Sequence, residues 1–297
     1  MKRFFILASA AIVALASCAK TEVVYNDAPE QIAFKQITGV MTKAPTALTT
    51  SMGVFAYRDG NSYFGKTEFA NRNSEGYFTA ETPVYWPVSG SLDFVLYAPF
   101  TGVTANSSSK DNLVFTKGLN EQLDLLYGKL TSAKSTDAVE VALHHALTRI
   151  DITVAGGSEI SLKGVELLNT TQSATGTYDG TNMVWSAEDA DVNKLATSGN
   201  LYTVANSTPA NGDALNSTAK TCRSFYVVPL YSEKAQIKLT YRMNGYANDL
   251  TYSTDLETLT YDAVGKKYVY NFTIGASEIK LAPVVEQEWN TAASTNL

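Results

Sequence analysis

Arg149-Ile150-Asp151-Ile152-Thr153-Val154 decides how this chain folds. Polar and apolar residues alternate without a break, and four of the six are β-branched. A period of two sends one set of side chains to a buried face of a strand and the other toward water. The same alternation returns in Ile237, Leu239 and Tyr241 against Gln236, Lys238, Thr240 and Arg242. Tyr268, Tyr270, Phe272 and Ile274 repeat it against Val269, Asn271 and Thr273. Further strands are expected at Ile32–Thr38, Gly53–Tyr57, Leu92–Tyr97, Ile160–Leu168, Phe225–Val228 and Ile279–Glu288. Turn-rich stretches such as Asn71–Gly76, Asn106–Asn112, Gly156–Ser158 and Thr208–Gly212 separate them. The 17 tyrosines and 12 phenylalanines suit pleated surfaces, on which aromatic rings pack well.

Helix is scarce. Gly118–Leu126 and Ala187–Leu195 offer one or two turns each, and no segment sustains a 3.6-residue period. Many short strands with such connections point to an all-β fold of antiparallel sandwiches. A parallel sheet is not expected, because parallel strands need crossover connections, which are usually helices. Residues 18–297 are enough for two domains of common size. The polar stretch Thr131–Asp137 marks the expected junction between an N-terminal β-sandwich over 28–145 and a C-terminal one over 146–297.

The start of the chain has a different chemistry. Lys2 and Arg3 precede an apolar run from Phe4 to Leu15, which is too short to span a bilayer as a helix. Leu15-Ala16-Ser17-Cys18 then ends small residues in a thiol, as a lipoprotein export signal over 1–17 does. On this reading Cys18 carries the lipid, and its acyl chains hold the protein on a membrane at about 0.8 kcal/mol per buried CH₂. Removing residues 1–17 takes away Lys2 and Arg3 and no acid, which moves the net charge from −6 to −8. An acidic chain of this kind argues against nucleic acid as a partner. Of the two cysteines, lipidation of Cys18 leaves Cys222 alone, so no internal disulfide is expected.

The residues that suggest chemistry have structural explanations. His144 and His145 are the only histidines, and neighbours on a strand point to opposite faces, so they do not chelate one ion. A packing and hydrogen-bonding role beside the junction is expected for them. Glu188, Asp189 and Asp191 lack the spacing and central glycine of a calcium loop, so no metal and no cofactor is expected. No nucleophile elbow or phosphate loop occurs, and no catalytic residue is assigned. Tyr85 and Trp86, flanked by Pro83 and Pro87, could stack a sugar, but core anchoring is the commoner use of such rings. Cys222 stands beside Arg223 and is expected to be buried in a strand.

A set of short stretches runs through the chain in order. They are Gln31-Ile32-Ala33-Phe34-Lys35, Met41-Thr42-Lys43-Ala44, Pro83-Val84-Tyr85-Trp86-Pro87 with Leu92-Asp93-Phe94, and Leu125-Leu126-Tyr127-Gly128. Leu143-His144-His145-Ala146-Leu147-Thr148-Arg149-Ile150, Phe225-Tyr226-Val227-Val228-Pro229, Gly265-Lys266-Lys267-Tyr268-Val269-Tyr270 and Glu288-Trp289 follow. Through them the chain resembles the fimbrillin family, the type V pilins and related surface lipoproteins of fimbriae. The resemblance implies two tandem transthyretin-like Greek-key β-sandwich domains and no enzyme activity. It implies assembly with other fimbrial subunits by strand exchange, and residence on the outer membrane and in the fimbrium. Carried onto this sequence, residues 18–43 form a lipidated leader whose strand, Ile32–Thr38 with Ile32, Phe34 and Ile37, later leaves its sheet. A trypsin-like protease would cut between Lys43 and Ala44, where the family's best-known members present arginine; Pro45 is compatible with that cut. The C-terminal stretch Ile279–Trp289 either donates a strand to a neighbour or ends the second sandwich. Two other classes compete: a non-polymerising surface lipoprotein that binds glycan or another macromolecule, and a secreted hydrolase. The host or bacterial surface ligand is not legible in the residues.

Overall fold

The computed structural model describes residues 30–36, 51–71, 77–118, 122–168, 170–171, 173–187, 204–205, 213–218, 220–230, 235–255 and 263–289. Among them the chain is all-β: 22 strands in four sheets, with no helix. The largest sheet joins β1 (Ala33–Gln36), β2 (Ser51–Arg58), β3 (Asn61–Asn71), β4 (Phe78–Ala80), β5 (Ser91–Ala98), β8 (Leu126–Ala133), β9 (Val139–Val141) and β10 (His144–His145). Their spatial order is β10-β8-β5-β2-β3-β4-β1-β9. The two end strands are joined in sequence by only Ala142 and Leu143, so the sheet curls back toward itself. Gly128 on β8 closes the curl, because a Cβ there would stand 2.7 Å from the Ala142 carbonyl oxygen. Phe34, Met52, Phe69, Trp86, Phe94 and Leu143 fill the interior.

A four-stranded sheet covers the outside of β2 and β5. It is built from β6 (Thr104–Ser109), β7 (Asn112–Gly118), β13 (Ser173–Tyr178) and β14 (Met183–Ser186). Phe55, Tyr57, Val95 and Tyr97 meet Phe115 and Trp185 in this second core. Both faces of β2 are therefore buried, which is why Ser51–Arg58 shows no polar alternation.

The remaining strands form a β-sandwich. One sheet holds β11 (Thr148–Gly156), β17 (Lys220–Val227), β20 (Lys266–Ile274), β21 (Ile279–Leu281) and β22 (Val285–Glu288). The facing sheet holds β12 (Ile160–Leu168), β15 (Val204–Ala205), β16 (Asp213–Ala214), β18 (Gln236–Met243) and β19 (Leu250–Asp255). Ile150, Ile152 and Val154 point into the core between them, where they join Leu239, Tyr270 and Phe272. The alternation read in the sequence is the inside and outside of this sandwich.

Two expectations need revision, the all-antiparallel pairing and the helical turns. β1 runs parallel to β9, and β11 runs parallel to β20, so two of the sheets are mixed. Among the described residues the chain between each parallel pair runs through further strands, some of the same sheet and some of others, instead of through a helix. Gly118 ends a strand and Leu126 begins one, and residues 122–125 are neither helix nor strand, so the described part of Gly118–Leu126 holds no helical turn. Ala187 is likewise non-helical, and 188–195 lie outside the described residues. Thr131–Ala133 belongs to β8, and the largest sheet continues through β10. Pairing also crosses the expected junction at 145/146, because β13 binds β7 over Ser173–Tyr178.

Gly53 and Tyr97 face each other across β2 and β5, and the ring fills the space where a side chain would start. A Cβ on Gly53 would lie 2.0 Å from Tyr97 Cε1, and Phe115 and Phe100 hold that ring at centroid distances of 5.9 and 6.3 Å. Gly53→Ala is expected to cost about 1–3 kcal/mol through overpacking, read as a lower urea midpoint at unchanged slope. The Tyr97 hydroxyl is buried and finds no partner among the described residues. Burial, reinforced by the Glu68 carboxylate, pushes this phenol well above the ordinary tyrosine range. The folded state then keeps a proton that the unfolded chain loses near pH 10, so this contribution is complete below about pH 10 and falls above it. Urea midpoints measured from pH 8 to 11 are expected to drop above pH 10, and to drop less in Tyr97→Phe.

Candidate functional site

The first described segment sits in a slot lined on both sides. Ala33 and Phe34 pair antiparallel with Thr79 and Phe78, and Phe34, Lys35 and Gln36 pair parallel with Val139, Glu140 and Val141. Before β1 the chain continues along a second support: Ile32 N donates to Val84 O at 2.9 Å, and Trp86 N donates to Glu30 O at 2.9 Å. Ile32 and Phe34 are 0% exposed, while Lys35 is exposed, as period-two geometry requires. Phe34 meets Phe69 and Phe94 edge to face at 5.0 and 5.1 Å, the geometry that aromatic quadrupoles favour. Trp86 is buried against Phe94, which settles it as a core anchor; Tyr85 stays partly exposed and accepts a hydrogen bond from Tyr63 Oη. Of the residues assigned to strand exchange and processing, the structure brings Ile32 and Phe34 together. Cys18, Ile37, Lys43 and Ala44 lie outside the described residues, as do Glu188, Asp189 and Asp191.

The C-terminal stretch pairs within its own chain. β21 and β22 lie antiparallel on the same edge of β20, with Ala282 N donating to Asn271 O at 2.9 Å between them. Ile279, Leu281 and Val284 rest only partly buried against the sandwich core. Lys266 pairs with Glu288 and, at 3.4 Å, with Glu286; the Glu288 carboxylate is the main cause that raises the Lys266 ammonium above its ordinary range.

The two histidines part as expected on a strand. His144 is exposed beside Tyr127, whereas His145 is buried with Nδ1 2.7 Å from Asp124 Oδ1. Among the described residues no three His, Cys, Asp or Glu side chains gather to hold a metal ion. Sequence reasoning missed β9, the parallel wall of the slot: three residues, Val139-Glu140-Val141, are too short a run to signal a strand.

A curled sheet with an N-terminal strand locked inside it, followed by a β-sandwich, is the setting in which the known families can be weighed. The fimbrillin-like family matches residues 35–289. This chain belongs to that family. Two solved structures share the fold of this fimbrillin-like chain. One is a candidate cell adhesion protein from Bacteroides uniformis, 20% identical, with a TM-score of 0.59 over 87% of this chain and 98% of the other. The second is a candidate cell adhesion protein from Bacteroides ovatus, 16% identical, with a TM-score of 0.55 over 88% and 98%. No curated protein matches the sequence. Family membership makes the chain a fimbrial or adhesin-like surface protein, structural and not enzymatic.

Phe34 is the side chain on which the slot closes. Phe34→Ala is expected to cost about 3–5 kcal/mol of unfolding free energy, the range for a buried phenylalanine. Lys35→Ala, one residue away and exposed, should stay within about 0.5 kcal/mol. Urea titration of both variants checks the contrast.

Proposed function

We propose that this protein is a subunit of cell-surface fimbriae, made as an outer-membrane lipoprotein acylated on Cys18 and assembled by strand exchange. Residues 18–43 act as the leader, and cleavage between Lys43 and Ala44 frees the strand Ile32–Thr38 to leave. A strand of a second subunit then takes the place of Ile32, Phe34 and Ile37. Residues 44–145 and the unit over 146–297 form the body that remains, tied together by the pairing of β7 with β13.

One observation carries the reading: β1 is bonded along both edges, and the segment 30–36 around it sends two wholly buried side chains, Ile32 and Phe34, into the interior of a curled sheet. Burial of each contributes about 1.5–3 kcal/mol, and each backbone hydrogen bond adds about 0.5–1.5 kcal/mol. A groove emptied of this strand is therefore strongly receptive to another of similar pattern. Addition of a strand to an open sheet edge is an established mode of pilin recognition. Retention of the segment in the precursor also keeps that edge from aggregating.

The test is limited trypsin treatment of the soluble chain lacking residues 1–18, with a peptide of residues 279–289 as donor. Cleavage after Lys43 should yield a product that starts at Ala44 and that polymerises or takes up the peptide. A cut product that stays monomeric and ignores the peptide overturns strand exchange and favours the non-polymerising, ligand-binding alternative.

A further inference from the structure

Trp289 ends the C-terminal edge strand by leaving the sandwich core and entering the second core of the N-terminal sheets. It is 5% exposed. Its ring stacks on His145 at 3.7 Å with planes 7° apart, and lies near-parallel to Tyr226 at 5.6 Å and 13°. The backbone repeats the connection. Trp289 N donates to Gly265 O at 3.0 Å, and Gly265 N donates to Leu147 O at 2.9 Å. Tyr226 is fixed in turn by Gln122, whose Oε1 accepts from Tyr226 N at 3.0 Å and whose Nε2 donates to Tyr226 O at 3.4 Å.

Residues 139–147 lead from this slot to the N-terminal segment. Val139, Val141 and Leu143 belong to the interior that holds Phe34, and Ala146 and Leu147 belong to the core that holds Trp289. Among the described residues β1 is the only ladder partner of β9, and β10 is held to β8 by two residue pairs. Departure of 30–36 thus strips β9 of its ladder, two residues before the strand that carries His145. Four of the stretches that carry the family resemblance, those at 143–150, 225–229, 265–270 and 288–289, meet at this slot.

We propose that residues 139–147 couple the two ends of the chain through the Trp289 slot. While 30–36 is seated, His145 is held in place and Trp289 locks the strand 279–288 onto β20. When 30–36 leaves, the slot slackens and the C-terminal strand becomes available to a second copy of this chain. Only the last step, capture by a second copy, rests on the strand-exchange reading. Linkage makes the coupling reciprocal: whatever loosens Trp289 loosens 30–36 by the same factor.

Amide hydrogen exchange on the chain from residue 19 onward tests this. Phe34→Ala, and the milder Ile32→Val should the first fail to fold, are expected to speed exchange across 285–289 at least tenfold over its change in β18. His145→Ala is expected to speed exchange in 33–36 by a comparable factor. Unchanged rates at 285–289 in both slot variants, or a uniform rise that includes β18, overturn the coupling. Donor peptide taken up with 285–289 still protected also sinks the coupling and leaves strand exchange standing. Released 285–289 with no peptide uptake does the reverse.

Discussion

The structure depends on Ala33–Gln36 being an inner strand of the largest sheet, held between β4 and the end strand β9. An ordinary edge strand is bonded along one side and can fray with little effect on its neighbours. β1 is bonded along both sides, antiparallel to one neighbour and parallel to the other. Ile32 and Phe34 also reach the middle of the enclosed core, where Phe34 contacts rings from β3 and β5. The segment is local in sequence and central in space. Its removal would open a gap flanked by two sets of unpaired backbone groups and lined by aromatic side chains, which water satisfies only in part.

The rest of the N-terminal architecture follows from β2 and β5 being shared walls. One face of each looks into the interior around Phe94, and the other into the core around Tyr97 and Trp185. The sheet that covers the outer face takes two strands from residues 104–118 and two from residues 173–186, so the chain must pass through β11 and β12 before it completes that layer. The joint is consequently part of a hydrophobic core. Trp185 Nε1 donates to Ala146 O at 2.6 Å inside it, which gives the indole a partner at the point where the chain changes sheets.

Strands with one wet face were legible, and strands without one were legible only in part. β12 spans Ile160–Leu168 as expected, and β18 and β20 extend by a residue or two the alternating runs that announced them. Gly53–Tyr57 and Leu92–Tyr97 are strands as expected, but their double burial hides which face meets which core. Parallel pairing left no trace, because alternation within a strand does not tell the direction of its neighbour. Ile32, Phe34 and Ile37 stand out through the family resemblance, while the parallel partner Val139–Val141 is too short to stand out. The buried stack of His145 and Trp289 joins residues 144 positions apart, and no local pattern encodes such a contact. Only the expectation that His145 packs and hydrogen-bonds beside the junction came near it.

Residues 30–36 and 279–288 differ in how firmly they are held, and under the proposed strand exchange that difference would set its direction. Residues 30–36 place two side chains wholly out of water and bond along both edges, so the slot they fill rewards an apolar strand strongly. Residues 279–288 bond along one edge, and Ile279, Leu281 and Val284 are only partly buried. A strand moved from the second environment to the first gains a second ladder and deeper burial. The ion pairs of Lys266 with Glu286 and Glu288 lie in water and hold β22 weakly, so they oppose the transfer little. Trp289 is the exception in that stretch, a large ring buried where its neighbours are not. Beyond its ladder with β20, the deepest anchor of this stretch is thus one side chain, at the place where the chain leads back to the N-terminal slot.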